Sequence, residues 1–200
     1  AETLSVLVDE AQRLTGHRLG ESELSDIAVR LLADHTRTAT FLLSDGVTPS
    51  NDGRGYVLRR IIRRAVRFAY LIGVERPVLV DMSRRCIEEM SAAYPELEST
   101  GDRVLAAIER EEHRFLGTLA TGSALLDTRL DELGSGATLA GSVAFQLHDT
   151  YGFPLEVTQE IAELRGHGVD VDGFNDEMTA QRERARAASK HGSVASGADV

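Results

Sequence analysis

Apolar residues recur three and four positions apart along most of the chain, the spacing of one face of an α-helix. After Ser22 this pattern predicts a helix that Ser22 caps, with Ser25 at the third helical position and Gly46 just past its end. Residues 46–55 are rich in Gly, Pro and Asn and predict a loop, and a second helix begins near Tyr56.

The same spacing predicts further helices along the rest of the chain. One stops before Pro95, and a long, charged, amphipathic helix follows it over 100–133. A short helix ends at Gly152, and two more helices are predicted over 154–166 and 172–190. No segment shows a convincing strand or an internal repeat.

These elements predict an all-α, multihelical fold with two helical subdomains. The break over 95–101 is the best candidate for the boundary between them. We therefore expect a first subdomain over 1–97, which contains an arginine-rich helix over 56–72, and a second over 98–190. The small, polar residues of 191–200 predict a linker or a disordered tail.

Charge is unevenly distributed along this sequence. The formal net charge is −10, yet residues 53–73 carry six arginines and no acid, which leaves −16 for the remainder. Overall acidity argues against unspecific binding of nucleic acid, because the far field repels phosphate. A compact cationic face in such a chain indicates either a specific anionic partner or salt bridges to the acidic remainder.

The arginines of the second predicted helix share one face. At about 100° per residue, five of them fall within one arc and the apolar residues fill the opposite arc; the five are Arg59, Arg60, Arg63, Arg64 and Arg67. Like charges four residues apart cost about 0.2–0.5 kcal/mol per pair. Forked contacts to phosphate would offset that cost, and so would salt bridges to neighbouring helices. The residues by themselves do not decide between these two explanations.

Two polar residues outside that helix are also candidates. Asn51 lies in the predicted loop, where Asn is common for conformational reasons alone. Asp149 lies in the last turn of a short helix, where a carboxylate opposes the helix dipole. Such an unfavourable charge indicates either a function or an ion pair with a nearby arginine.

Other kinds of site are not indicated. The six histidines form no metal-binding pair, and no phosphate-binding loop or nucleophile motif is present. The single cysteine, Cys86, excludes an internal disulfide, suits the reducing cytosol and is interpreted as a packing residue. No apolar run approaches the ~18 residues of a membrane span. We expect neither a catalytic nor a metal site in these residues.

Two segments resemble a known family. "ADHTRTATFLLSDGVTPSNDGRGYVLRRIIRRAVRF" (33–68) and "FQLHDTYGFPLEVTQEIAELRG" (145–166) closely resemble the region of alanyl-tRNA synthetase that follows its class II catalytic core. The resemblance is weaker but compatible over the rest, up to about Lys190. It implies an all-helical domain that binds the acceptor stem of alanine tRNA and recognises its G·U wobble pair.

The resemblance also implies roles for individual residues. Asn51 and Asp149 would approach the G·U pair, because the guanine amine there lacks a full partner in the wide minor groove of A-form RNA. The arginine face, with Arg54 added to the five named above, would contact the tRNA backbone.

The same resemblance implies that the chain is the middle part of a cytoplasmic ligase and works with its catalytic and editing domains. ATP with Mg²⁺ and an editing-site zinc would belong to those domains, and we expect no cofactor, no activity and no membrane contact for these residues alone. A stand-alone paralogue, or a scaffold that binds protein through the same fold, is the alternative; its arginines would form internal salt bridges.

Overall fold

The computed structural model of the chain describes residues 2–194, with side chains described between residues 4 and 186. Within that range the chain forms eight α-helices and two strands of two residues each. The helices are α1 (Glu2–Thr15), α2 (Glu23–Ser44), α3 (Gly53–Leu71), α4 (Leu79–Met90), α5 (Glu96–Asp131), α6 (Gly141–Tyr151), α7 (Leu155–Leu164) and α8 (Val171–Val194), and the strands are β1 (Thr138–Leu139) and β2 (Gly168–Val169). The predicted all-α, multihelical fold is confirmed.

The start of α2 follows from its sequence. The Ser25 N–H donates to Ser22 Oγ at 3.1 Å, and the Ser22 N–H donates to Ser25 Oγ at 3.2 Å. This reciprocal pair satisfies two backbone donors that the first helical turn leaves without partners. Beyond the other end of α2, Gly46 adopts a φ of 86°, a conformation that glycine adopts without steric cost.

The chain divides into two compact units, Ala1–Gly117 and Thr118–Val200. The division lies within α5, which is a single helix of 36 residues. Pro95 stands directly before that helix, a place where proline's fixed φ and missing N–H are tolerated. The predicted subdomain boundary after residue 97 therefore falls in the first turn of α5, inside the first unit.

The C-terminal segment differs in part from its prediction. Residues 191–194 were expected to belong to a linker or tail, but they form the end of α8. The remaining residues of the predicted tail, 195–200, lie outside the described residues.

The core of the first unit is assembled around α2, which packs against α1, α3 and α4. Its centre is filled by fully buried aliphatic side chains such as Leu32, Leu58 and Met82. Phe115, a buried residue of α5, extends this core toward α3. Burial of a side chain of this size stabilises a fold by about 1.5–3 kcal/mol.

A carboxylate from α5 caps the N-terminus of α4. Oε1 of Glu112 accepts the N–H groups of Val78 and Leu79 at 2.8 and 2.9 Å. Val78, the N-cap residue of α4, has no side-chain acceptor of its own. Burial raises the pKa of Glu112, while the backbone hydrogen bonds from Leu79 and Val78 act in the opposite direction. The start of α4 therefore depends on a residue more than thirty positions away.

The second unit is built from short helices and the two strands. α6 packs against α8, and β1 pairs in parallel with β2. Phe153, which follows α6, is fully buried against Gly122 of α5, where a Cβ atom would overlap the phenyl ring. α6 ends at Gly152, as the sequence predicted, and this glycine has a φ of 69°, the left-handed conformation common after the last turn of a helix.

Replacing Glu112 tests the cap of α4. We expect Glu112→Ala to lower the free energy of unfolding by about 2–4 kcal/mol, because two buried N–H groups lose their acceptor. Glu112→Gln should cost less, since the amide oxygen can still accept both bonds. Urea denaturation monitored by circular dichroism measures both effects.

Glu109→Ala is the matched control, because Glu109 lies exposed on the same helix. Its effect should stay within about 0.5 kcal/mol. Equal losses for Glu109→Ala and Glu112→Ala would show that the cap contributes nothing to stability.

Candidate nucleic-acid interface

The arginines of α3 fall into two rows, with Arg54 at the start of the helix. Arg59, Arg63 and Arg67 are spaced four residues apart and are half-buried. Arg60 and Arg64, each one position further along, are exposed. A step of one residue turns a side chain about 100° around the helix axis, which explains why neighbours differ so much in exposure. We call the first three the inner row and the other two, together with the exposed Arg54, the outer row.

The inner row contacts α5. Arg63 Nε donates to Oε1 of Glu111 at 2.7 Å, and Arg59 Nε lies 3.3 Å from the same oxygen. Glu111 is only 5% exposed, so its charge is removed from water and requires these cations. The Arg63 guanidinium also lies 5.0 Å from the ring centroid of Phe115. For Arg59 and Arg63, the structure shows the salt bridges that the sequence left open as one of two explanations.

The outer row has a different environment. Among the described side chains, no carboxylate lies within ion-pair distance of Arg54, Arg60 or Arg64. The Arg60 guanidinium lies 5.8 Å from the ring centroid of Tyr56, whose side chain is itself exposed. These guanidiniums leave most of their N–H donors to solvent, so this surface is suited to binding an anion with several oxygen atoms.

Asn51 is held in place by an inner-row arginine. Its Oδ1 accepts a hydrogen bond from Nη1 of Arg59. Since a guanidinium can only donate, the amide oxygen must face Arg59 and the amide NH2 remains for another partner. Glu111, Arg59 and Asn51 thus form one connected chain of contacts that ends at an exposed amide.

The loop that carries Asn51 packs closely against the start of α3. Gly55 is buried, and a Cβ atom there would overlap the side chain of Ser50 and the carbonyl oxygen of Thr48. Ser50 Oγ also donates to the carbonyl oxygen of Asp52 at 2.8 Å. Only glycine at position 55 permits this close approach. The approach in turn fixes the position of the loop that carries Asn51.

Asp149 has a hydrogen-bond partner in another helix. It lies exposed in the last turn of α6, and its Oδ1 accepts a hydrogen bond from Nε2 of Gln181 in α8. An ion pair with an arginine was the expected structural alternative, but a neutral amide takes that place. The two residues are 32 positions apart, and no local pattern in the sequence connects them.

The structure therefore places the predicted site residues in two groups. Asn51 lies with the arginines of α3 in the first unit, and Asp149 lies with Gln181 in the second. The proposed roles of all eight predicted residues in binding RNA remain predictions.

Three further findings concern metal binding, membrane spans and the thiol of Cys86. Over the part of the chain that the structure describes, no group of three or more His, Cys, Asp and Glu side chains could hold a metal ion. In the same part, no helix is long and apolar enough to cross a membrane. Cys86 is buried, and that burial raises the pKa of its thiol to about 11, as expected of a packing residue.

A double-mutant cycle tests the contact between α3 and α5. We expect Arg63→Ala and Glu111→Ala to be coupled by about 1–3 kcal/mol in the free energy of unfolding, because each single change leaves a half-buried or buried charge without its partner. Chemical denaturation of the two single variants and the double variant measures the coupling.

Arg64→Ala provides the comparison on the same helix. Because Arg64 is exposed and repelled by Arg60, its loss should change stability by less than about 0.5 kcal/mol. A coupling near zero for the Arg63–Glu111 pair would show that this ion pair does not stabilise the contact between α3 and α5.

Comparison with known proteins extends these observations. The family model for tRNA synthetases class II (A) matches residues 1–199. Alanine–tRNA ligases of Desulforamulus reducens, Nocardia farcinica and Methylococcus capsulatus are 48%, 47% and 49% identical over 184, 195 and 170 residues. These matches cover 91%, 95% and 85% of this chain but only 21%, 22% and 20% of the relatives.

The chain thus spans about a fifth of the length of these relatives. Because the matching model describes the class II synthetase itself, it does not support the expectation that these residues carry no part of a catalytic site. The relatives found agree with the resemblance to the alanyl-tRNA synthetases, which was based on 33–68 and 145–166. The matching model, however, covers the class II synthetase itself and does not support the expectation that these residues follow its catalytic core. The chain belongs to the family of class II tRNA synthetases (A).

Proposed function

We propose that this chain is the tRNA-recognition part of an alanine–tRNA ligase. It binds the acceptor stem of alanine tRNA and recognises the G·U wobble pair, so that the complete enzyme attaches alanine to the correct tRNA. The observation that carries this proposal is the outer row of arginines, which is exposed, lacks carboxylate partners among the described residues and lies on the helix that begins beside Asn51.

The outer row is proposed to bind the RNA backbone. Arg60 and Arg64 lie four residues apart, so they repel each other wherever no anion lies between them. Phosphate oxygens would remove that repulsion and accept two N–H bonds from each guanidinium. The acidic remainder of the chain repels RNA. Binding is therefore expected only at the surface where these arginines are concentrated.

The inner row is proposed mainly to support this surface from within the protein. Not all of its guanidiniums are expected to bind phosphate. Arg59 and Arg63 already neutralise Glu111, and Arg67 is half-buried with its guanidinium 5.2 Å from the ring centroid of Phe68. Of the six arginines proposed for the RNA backbone, Arg54, Arg60 and Arg64 are therefore the strongest candidates.

Asn51 and Asp149 are proposed to recognise the G·U pair with opposite hydrogen-bonding roles. Because Arg59 occupies the amide oxygen of Asn51, its NH2 group is available to donate to the uracil O2. Asp149 can only accept when ionised, which suits the guanine amine that the wobble pair leaves without a full partner.

The remaining parts of the reaction are proposed to involve other segments of the ligase. ATP with Mg²⁺, alanine and an editing-site zinc would bind outside the residues described above, and the enzyme would work in the cytoplasm, where tRNA is used. This chain would supply tRNA binding to the catalytic and editing domains. Its lack of activity in isolation remains a prediction.

A scaffold that binds protein is the second candidate function. The salt bridges of Arg59 and Arg63 to Glu111 are the observation that favours it, because they show part of the arginine face already neutralised. The two functions differ in salt dependence, since only contacts to phosphate release many counterions.

Substitutions in the two rows separate these functions. We expect Arg60→Ala and Arg64→Ala to weaken binding of tRNA whatever the acceptor-stem sequence, and to reduce the slope of log K against log salt by roughly one for each lost phosphate contact. Fluorescence titrations of the complete protein with tRNA at several salt concentrations measure both quantities.

Arg63→Ala is the control, because it should lower stability and leave the salt slope nearly unchanged. The scaffold function would gain support if all three variants bound tRNA with the same affinity and slope as the unaltered protein.

Asp149→Ala and Asn51→Ala should change specificity rather than general affinity. Each should cost about 1–3 kcal/mol in binding to a G·U acceptor stem and far less with a G·C stem, because only the first pair offers the proposed partners. Titration of both variants with both RNAs provides the comparison.

Asn51→Asp makes this test sharper. It keeps an oxygen for Arg59 but removes the amide donor, so recognition of the G·U stem should be lost although the contact within the protein remains. An equal loss on both RNAs would indicate that these side chains position the backbone or support the fold, and the assignment to the base pair would be withdrawn.

A further inference from the structure

One carboxylate oxygen of Asp149 accepts a hydrogen bond from a residue of another helix. Gln181 Nε2 donates to Asp149 Oδ1, so α8 and α6 are connected at the last turn of α6. Packing of α6 against α8 brings these turns together within the second unit. Asp149 is exposed and Gln181 half-buried, so the contact lies at the edge of this packing, next to solvent.

A glutamine amide is well suited to holding a carboxylate without neutralising it. It offers N–H donors to one oxygen, and the other oxygen keeps its lone pairs for an outside donor. An arginine at this place would occupy both oxygens with a forked contact and remove the negative charge. The amide thus leaves a fixed, charged acceptor at the surface.

The hydrogen bond from Gln181 also offsets the unfavourable electrostatic position of Asp149. A carboxylate in the last turn of a helix lies near the negative end of the helix dipole. The amide donor of Gln181 compensates in part for this repulsion, and the exposed Arg184 lies one helical turn beyond Gln181 on α8, where its positive charge can attract phosphate. Asp149 is itself exposed, so its carboxylate remains accessible to an RNA at this end of α6.

We propose that Gln181 is a specificity-determining positioning residue: it orients the carboxylate of Asp149 so that the second oxygen accepts the guanine amine of the G·U pair. This inference rests on the proposed function and adds to it a residue that no motif indicates. Fixing the acceptor before binding reduces the conformational entropy that recognition would otherwise lose.

The test compares G·U and G·C acceptor stems for Gln181→Ala in the complete protein. We expect a decrease of about three- to tenfold in the preference for the G·U stem, the effect of losing one hydrogen bond that orients a recognising group. Affinity for the G·C stem and the salt slope should stay unchanged, since no phosphate contact is removed. A purely structural role would lower both affinities together or neither.

A double-mutant cycle strengthens the test. In an Asp149→Ala background, Gln181→Ala should have no further effect on the preference, because the carboxylate it orients is absent. Gln181→Glu should lower the preference more than Gln181→Ala does, since it replaces the donor with a charge that repels Asp149. Gln146→Ala, the same change at an exposed position of α6, is the matched control and should leave the preference unaltered.

The outcomes separate the two proposals. If Asp149→Ala reduces the preference but Gln181→Ala leaves it at the unaltered value, the positioning role is wrong and the proposed function stands. If neither Asp149→Ala nor Asn51→Ala changes the preference, the assignment of base recognition itself fails. A loss of secondary structure in Gln181→Ala would be detected by circular dichroism. In that case Gln181→Asn replaces it as the test, and the positioning role stands only if this variant retains the fold and loses the preference for the G·U stem.

Discussion

Two neighbouring carboxylates of α5, Glu111 and Glu112, are buried in the first unit, and the positions of two other helices depend on them. Since consecutive residues point about 100° apart on a helix, they face different partners. Glu111 contacts the guanidiniums of α3, and Glu112 accepts two backbone N–H groups at the start of α4. A buried carboxylate without such partners would strongly destabilise the fold, so both contacts must form together with the core.

The contact of Glu111 also neutralises part of the arginine face. Glu111 pairs with Arg59 and Arg63, the arginines nearest the buried apolar face of α3, while Arg60 and Arg64 are turned toward solvent. Repulsion within the inner row is compensated by a carboxylate, whereas repulsion within the outer row is not. A helix that stores such repulsion gains stability from an anionic ligand, and this is the physical basis for the proposed contact with RNA phosphates.

The two residues proposed to recognise the base pair share one structural principle. Each is exposed, and each accepts a hydrogen bond through a side-chain oxygen from a nearby helix. Arg59 of α3 donates to Asn51, and Gln181 of α8 donates to Asp149. The NH2 group of Asn51 remains as a donor, and the second carboxylate oxygen of Asp149 remains as an acceptor. Polar groups fixed in this way discriminate between ligands better than mobile ones, because little ordering is required on binding.

Local patterns in the sequence were enough to predict the helices, the cap at Ser22 and the helix end at Gly152, because each depends on residues within one or two turns. They were also enough to predict that the arginines share one face. The division of those arginines into rows, the cap on α4 and the partner of Asp149 were decided only by tertiary structure. In each case the partner is 32 to 52 residues away, and a contact at that distance is set by how helices pack against each other rather than by periodicity.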